Sequence, residues 1–154
     1  MQMKQSLLRY KYYGSREYGQ YYAEEISRYV GTQIKRWNPD ILVPVPMTCR
    51  KKRIRGFNQA EDLAEKIGEL LQIPVAAGLA VKKRETKSQK KLNAVERMRN
   101  LKDAFQITES VRGLRILIVD DVYTTGSTIE TLAECLKESG AGKIYFVTLC
   151  IGQL

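Results

Sequence analysis

The 154-residue chain contains no histidine, one tryptophan, four prolines and three cysteines. Without histidine it can build no Ser-His-Asp triad, no Cys-His dyad and no histidine-ligated metal site. Cys49, Cys135 and Cys150 are odd in number and far apart. They suit reduced thiols in a cytoplasmic protein, not a disulfide scaffold. No Cys-x-x-Cys occurs, so no N-terminal zinc ribbon is expected. Long apolar runs are missing too. No stretch approaches the roughly 18 residues of a membrane span, and Met1 to Ser6 leads into no apolar segment. Neither membrane insertion nor a secretory signal is expected. Acidic residues are the minority, 17 against 26 Lys and Arg, for a net charge of +9.

What is present bounds the answer further. A hydrophobic fraction of 44% argues against disorder. The length suits one domain over 1–154, large enough for a sizeable core. The positive excess favours anionic partners: nucleic acid, phosphorylated metabolites or an acidic protein. It is concentrated in two clusters. Arg50, Lys51, Lys52, Arg53 and Arg55 form the first. Lys82, Lys83, Arg84, Lys87, Lys90, Lys91, Arg97, Arg99 and Lys102 form the second, opposed by Glu85 and Glu96. Both follow plausible strands and neither interleaves its signs as a helix face would, so both are expected on loops.

Residues 1–14 allow a short strand or arm. From Arg16 to Trp37 the apolar positions Tyr18, Tyr22, Ile26, Tyr29, Val30, Ile34 and Trp37 recur every three or four residues, which predicts an amphipathic helix. Its tyrosines are expected in the core rather than as a base-stacking ladder. Asn38-Pro39-Asp40 ends it. Ile41 to Pro46 reads as a short buried strand whose prolines stop pairing and begin a shaped loop. Asn58 starts a second helix, with Glu61 as a capping-box partner and an inner face of Ala60, Leu63, Ala64, Ile67, Leu70 and Leu71. Residues 73–81 read as extended, and the second basic cluster as partly helical from Asn93. Ile116 to Val119, four aliphatics without alternation, predicts a strand buried on both faces of a parallel sheet. A third helix follows Gly126 and Ser127, with Ile129, Leu132, Ala133 and Leu136 inward and Gly140 at its end. Residues 144–151 read as another buried strand. Strands alternating with helices imply an α/β domain with a mostly parallel sheet.

The chemistry lies in residues 116–128, Ile-Leu-Ile-Val-Asp-Asp-Val-Tyr-Thr-Thr-Gly-Ser-Thr. Ligands of an open α/β sheet bind beyond the C-terminal strand ends, where Asp120 and Asp121 stand. Thr124, Thr125, Gly126, Ser127 and Thr128 then lead into a helix N-terminus. Backbone N–H groups and the helix dipole there make a phosphate site, and Gly126 permits close approach. Phosphate beside two carboxylates makes sense if the ligand also carries hydroxyls or a metal. A ribose 5-phosphate meets both needs, with its phosphate on the bend and its diol on the acids. The segment is no Walker A loop, since no Gly-Lys-Ser/Thr follows, and no Gly-x-Gly-x-x-Gly is present. Cys135, Cys150 and Trp37 are expected to pack, and Cys49, with no histidine or second cysteine beside it, is not expected to react.

Residues 116–128 resemble the phosphoribosyl pyrophosphate (PRPP) signature of type I phosphoribosyltransferases. The wider chain resembles the ComF family, the competence-associated branch of that fold. The matches that narrow it are Val43-Pro44-Val45-Pro46, Arg53 with Arg55-Gly56-Phe57-Asn58-Gln59, Arg84-x-Thr86-x-x-Gln89-x-x-Leu92, and Arg97-x-x-Asn100-Leu101 with Phe105. The resemblance implies a type I phosphoribosyltransferase-like fold, a central mostly parallel sheet with flanking helices. It implies that Asp120 and Asp121 hold the sugar diol and Thr124 to Thr128 the 5-phosphate. Pro46, Met47 and Arg50 would correspond to the pyrophosphate loop. Residues 82–102 would correspond to a mobile flap, whose Lys83, Arg84, Lys87, Lys90 and Lys91, with Arg53 and Arg55, would contact single-stranded DNA. Mg²⁺ would come with PRPP, with no direct protein ligand. A ComFA-type ATPase is the implied partner and DNA uptake the implied role. The alternative is an active enzyme transferring ribose 5-phosphate to an unidentified acceptor. Two departures stand out. The four-cysteine ribbon common in ComF proteins is absent. Thr124 occupies the place of an aspartate base in several purine enzymes, and threonine cannot take a proton at neutral pH.

Overall fold

Four consecutive aliphatic residues fix the centre of the molecule. In the computed structural model, which describes residues 2–12, 16–83 and 93–152, Ile116, Leu117, Ile118 and Val119 are completely buried. They lie in β4 (Arg115–Tyr123), between β1 (Ile41–Pro44) and β5 (Lys143–Ile151), in a three-stranded parallel sheet of order β1-β4-β5. The register sets Val43 opposite Ile118 and Ile118 opposite Phe146. Beyond β1 the chain adds one further parallel bridge, between Leu42 and Val75.

Successive side chains of a strand point to opposite faces, so β4 feeds two cores. Ile116 and Ile118 pack with Val43, Phe105, Ile129, Leu132 and Leu136. Leu117 and Val119 pack with Leu42, Ile26, Ile34, Leu63 and Ile67. The first core is roofed by α6 (Ser127–Glu138), the second by α2 (Glu17–Trp37) and α4 (Gln59–Leu71). Truncating one of these β4 side chains to alanine should cost about 2–5 kcal/mol. Beside the sheet, β2 (Ala80–Lys82) pairs antiparallel with β3 (Phe105–Ile107). The expected helical start at Asn93 is present. Asn93 caps α5 (Ala94–Ala104) in a full capping box with Glu96. The parallel sheet, the three long helices and the Asn38 stop, which is left-handed with φ 49°, agree with the sequence reading.

Five local expectations are corrected. Residues 2–12 form a helix, α1 (Gln2–Tyr12), not a strand or arm. Leu7 and Tyr10, three apart on one face, are buried against α2 and α4. The first basic cluster is also a helix, α3 (Cys49–Arg55), capped by Thr48 and ended by Gly56 at φ +84°. None of its residues is buried. Asn58 caps α4 by accepting the Ala60 N–H (3.1 Å), but no capping box forms because Glu61 pairs with Lys52 at 3.2 Å. β5 is an edge strand, with Phe146 and Ile151 exposed. Leu70 on α4 and Tyr29 on α2 are exposed rather than inward. Trp37 does pack, stacking on Tyr145 with ring centroids 4.6 Å apart.

Candidate functional site

The site arises where β1 stops and β4 continues. Val45 donates the last ladder hydrogen bond of β1, to Val119 (2.9 Å). Pro46 has no N–H and cannot extend the pairing. β4 runs on, bonded now only to β5, and carries Asp120 and Asp121 over the vacated edge. The acids therefore sit within β4, not past its end as expected.

Both carboxylates are oriented by the backbone. Asp120 Oδ1 accepts the Asp121 N–H and Asp121 Oδ1 accepts the Val122 N–H, each at 2.8 Å. The other Asp121 oxygen lies 3.4 Å from Lys11 Nζ, and both side chains are mostly buried. Burial, and then the adjacent Asp121 charge, holds the Asp120 carboxyl well above the usual carboxylate range.

The bend after β4 is shaped by glycine. Gly126 adopts φ +79° and is the N-cap of α6, where it has no side chain to offer the helix. A Cβ at this position would overlap the Tyr123 ring. Thr125 Oγ1 lies 3.0 Å from Ser127 Oγ and accepts the Ser127 N–H at 3.4 Å. A small hollow of about 30 Å³ is lined by Asp120, Tyr123, Thr124, Gly126, Ser127 and Thr128. It adjoins a cavity of about 270 Å³ that shares Asp120, Thr124 and Thr128 and is also lined by Asp121, Pro46, Met47 and Arg55.

The two spaces thus bring together Asp120, Asp121, Thr124, Gly126, Ser127, Thr128, Pro46, Met47 and Arg55. Thr125 lines neither and touches the bend through Ser127. Arg50, Arg53 and Lys83 are exposed and off the cavity wall. Arg84, Lys87, Lys90 and Lys91 lie outside the described residues. The cavity wall also takes Lys51 and Lys82 from the two basic clusters, and adds residues that sequence reasoning did not assign to the site: Lys11, Asn58 and Gln59. Asn58 and Gln59 stood inside a recognised segment, but Lys11 gave no local signal.

Beneath the wall, Gln59 joins α1 to α4. Its Nε2 donates to the Lys11 carbonyl (3.1 Å), and its own carbonyl lies 3.0 Å from the Tyr10 hydroxyl. That hydroxyl also donates to Asp62 Oδ2 (2.7 Å). Burial pushes the Tyr10 phenol far up, so it stays protonated and donating. Asp62 in turn pairs with Lys66 at 2.6 Å.

A parallel sheet with helices on both faces, whose central strand delivers two acids to a hydroxyl-rich bend and a helix N-terminus, defines a phosphoribosyltransferase-like α/β protein. The chain belongs to the family described as "Phosphoribosyl transferase domain", whose model matches residues 18–153. Among relatives, it is 39% identical over 112 residues to "DNA utilization protein YhgH" of Salmonella typhi, covering 73% of this chain and 49% of that one. It is 34% identical over 109 residues to "Competence protein F" of Haemophilus influenzae, covering 69% and 48%. It is also 34% identical over 143 residues to "Competence protein ComFC" of Bacillus subtilis, covering 90% and 55%. The resemblance to ComF proteins is borne out, and the chain spans about half the length of these relatives. Among solved structures it is similar to a purine phosphoribosyltransferase from Pyrococcus horikoshii, with TM-score 0.56 and 19% identity over 85% of this chain and 73% of that one. A hypoxanthine phosphoribosyltransferase from Staphylococcus aureus gives TM-score 0.52 and 13% identity, over 86% and 62%. At these identities the likeness is one of fold.

Proposed function

We propose that the chain binds PRPP, or a related ribose phosphate, as a ComF-type accessory of DNA uptake, and that it binds single-stranded DNA through basic residues outside the cavity. One observation carries the first part: Asp120, Thr124 and Thr128 border both the cavity and the hollow at the start of α6. Acceptors for a sugar diol and donors for its phosphate therefore face one connected space. Backbone amides and hydroxyls at the bend suit the 5-phosphate. Lys51, Arg55 and Lys82 on the cavity wall suit a second phosphorylated group at C1.

Among the described residues Asp120 and Asp121 are the only carboxylates on that wall. Among the described residues no group of three acids or cysteines could hold a metal. This donor set fits a Mg²⁺ ion that arrives bound to the pyrophosphate, where it would neutralise that group's charge. Calorimetry with PRPP and Mg²⁺ tests the reading. Wild type should bind, and Asp121→Asn should bind at least tenfold more weakly. A wild type that gives no heat and no thermal shift would refute it.

The DNA part is supported by the two sides of α3. Lys51 and Arg55, four apart and so on one face, line the cavity. Arg50 and Arg53 are exposed away from it. Replacing Arg50 and Arg53 by alanine should weaken oligonucleotide binding at low salt. It should also reduce the slope of log K against log salt by about 1 to 1.5, leaving PRPP binding intact. Unchanged oligonucleotide binding would sink this part. A ComFA-type ATPase is the partner this reading assigns.

A second reading, transfer of ribose 5-phosphate to an acceptor, is favoured by cations and acids sharing one wall. Asp120 and Asp121 would stabilise positive charge developing on the ribosyl ring while the cations receive pyrophosphate. Pyrophosphate release across a panel of purines and pyrimidines decides it, and inactivity with all of them counts against it.

A further inference from the structure

Lys11 belongs to α1, a helix that the nucleotide-phosphate motifs of the chain do not include, yet its ammonium reaches the acidic pair. Three features hold it there. Tyr10, its neighbour, is fully buried between Tyr22 and Phe57, with ring centroids at 5.9 and 5.8 Å. The Lys11 carbonyl accepts a hydrogen bond from Gln59 Nε2 at 3.1 Å. Its Nζ lies 3.4 Å from Asp121 Oδ2, with only about 15% of either side chain exposed. A lysine on a surface helix gains little from so much burial, because removing an ammonium from water is costly unless a partner compensates. Gln59, the anchoring residue, is itself buried on the cavity wall, and its Oε1 has no hydrogen-bond partner among the described residues.

The position of Lys11 also has a direction. It lines the larger cavity with Lys51, Arg55 and Lys82, but not the hollow at the start of α6. If the 5-phosphate occupies that hollow, Lys11 borders the adjoining space that remains for the substituent at C1. We propose that Lys11 is a specificity residue for the anionic group at C1. In the free protein its ammonium balances Asp121. When a sugar hydroxyl donates to Asp121, the ammonium turns to a phosphoryl oxygen of the C1 group, so one cation serves two anions in sequence. The site then favours a ribose phosphorylated at both ends over ribose 5-phosphate alone. This inference rests on the ribose-phosphate reading of the cavity.

The test is calorimetry of the full chain with three probes: PRPP with Mg²⁺, ribose 5-phosphate, and inorganic pyrophosphate with Mg²⁺. Wild type is compared with Lys11→Met and Lys11→Arg, and thermal midpoints are recorded for each. Lys11→Met should weaken PRPP and pyrophosphate about tenfold or more, the scale of one charge-assisted hydrogen bond. It should change ribose 5-phosphate by less than about threefold, and Lys11→Arg should restore most of the lost affinity. Binding of PRPP by Lys11→Met within twofold of wild type overturns the assignment and leaves the ribose-phosphate reading standing. An equal loss for all three probes also overturns it, because that is the mark of a purely structural lysine. Failure of wild type to bind either sugar phosphate overturns both.

Discussion

Gly126→Ala is the substitution that most directly probes the phosphate bend. Two separable penalties act on it. The backbone sits at φ +79°, where an L-residue is strained by about 1–2 kcal/mol. The new methyl would also overlap the Tyr123 ring, and overpacking of this kind costs about 1–3 kcal/mol. Alanine restricts the unfolded chain and returns about 0.4–1 kcal/mol. The expected net loss is about 1–4.5 kcal/mol. Tyr123→Ala removes the overlap but leaves the backbone strain. In that background Gly126→Ala should cost at least about 1 kcal/mol less, a coupling energy readable from a double-mutant cycle. Urea denaturation of the four proteins measures it, and phosphate titration in parallel should show the bend's affinity falling in both alanine variants at 126. Tyr123 stacks on Phe146, with centroids 5.5 Å apart, so its own replacement will destabilise; the cycle cancels that term. Equal costs for Gly126→Ala in the two backgrounds would refute the steric half of the reasoning, and a total cost below about 0.5 kcal/mol would refute both halves.

Three further outcomes are expected. Asp120 has a raised pKa in the folded state, so its stabilising contribution is complete below the unfolded value of 3.8 and is lost as pH rises through the folded pKa. Asp120→Asn should therefore gain stability over wild type at pH 8, gain little at pH 4, and lose ligand binding; a variant less stable than wild type at pH 8 contradicts this. Asp40 behaves oppositely. Side-chain and backbone hydrogen bonds from Arg115 hold its carboxyl down at about 2, so its contribution is present above pH 3.8 and fades as pH falls towards 2. Asp40→Asn should flatten that part of the acid unfolding curve, and an unchanged curve would count against the pairing. Finally, a thiol reagent at pH 8 should label exposed Cys49 promptly and buried Cys135, whose thiol is pushed up to about 11 by burial, only on unfolding. Mass mapping of the labelled residues checks both.

The sheet and the bend between β4 and α6 were legible because their signals are local. Four aliphatics in a row have one good home, and Asp-Asp followed by Thr-Thr-Gly-Ser-Thr places the strand's last pairing, the bend and the helix start within nine residues. α3 was not legible because five of its seven residues are basic and none is buried, so it has no apolar stripe for periodicity to detect. α1 was hidden by its tyrosines, which suit strand and helix alike; what makes it helical is the tertiary contact of Leu7 and Tyr10 with α2 and α4. The exposure of β5 was hidden for another reason. An apolar strand reads the same at the centre and at the edge of a sheet, since position is set by which strands pair beside it. Lys11 is the sharpest case. Its meaning depends on Asp121, almost the length of the chain away, and on Gln59 holding its backbone. Only the folded chain brings those three together.

On the proposed reading, the acids also keep a sugar phosphate and a nucleic acid apart on one basic chain. A polyanion attracted by the +9 charge would enter any cavity lined by cations alone. Here Asp120 and Asp121 stand on the same wall as Lys11, Lys51, Arg55 and Lys82. They repel a phosphodiester unless hydroxyl donors compensate them. A free ribose phosphate offers a vicinal diol for that purpose. Deoxyribose within a strand does not, because it lacks the 2-hydroxyl and its 3-oxygen is esterified. On that reading selection follows from charge placement rather than charge total: the carboxylates reserve the cavity for a polyhydroxylated anion, and backbone phosphates are left to Arg50 and Arg53, exposed and off the cavity wall.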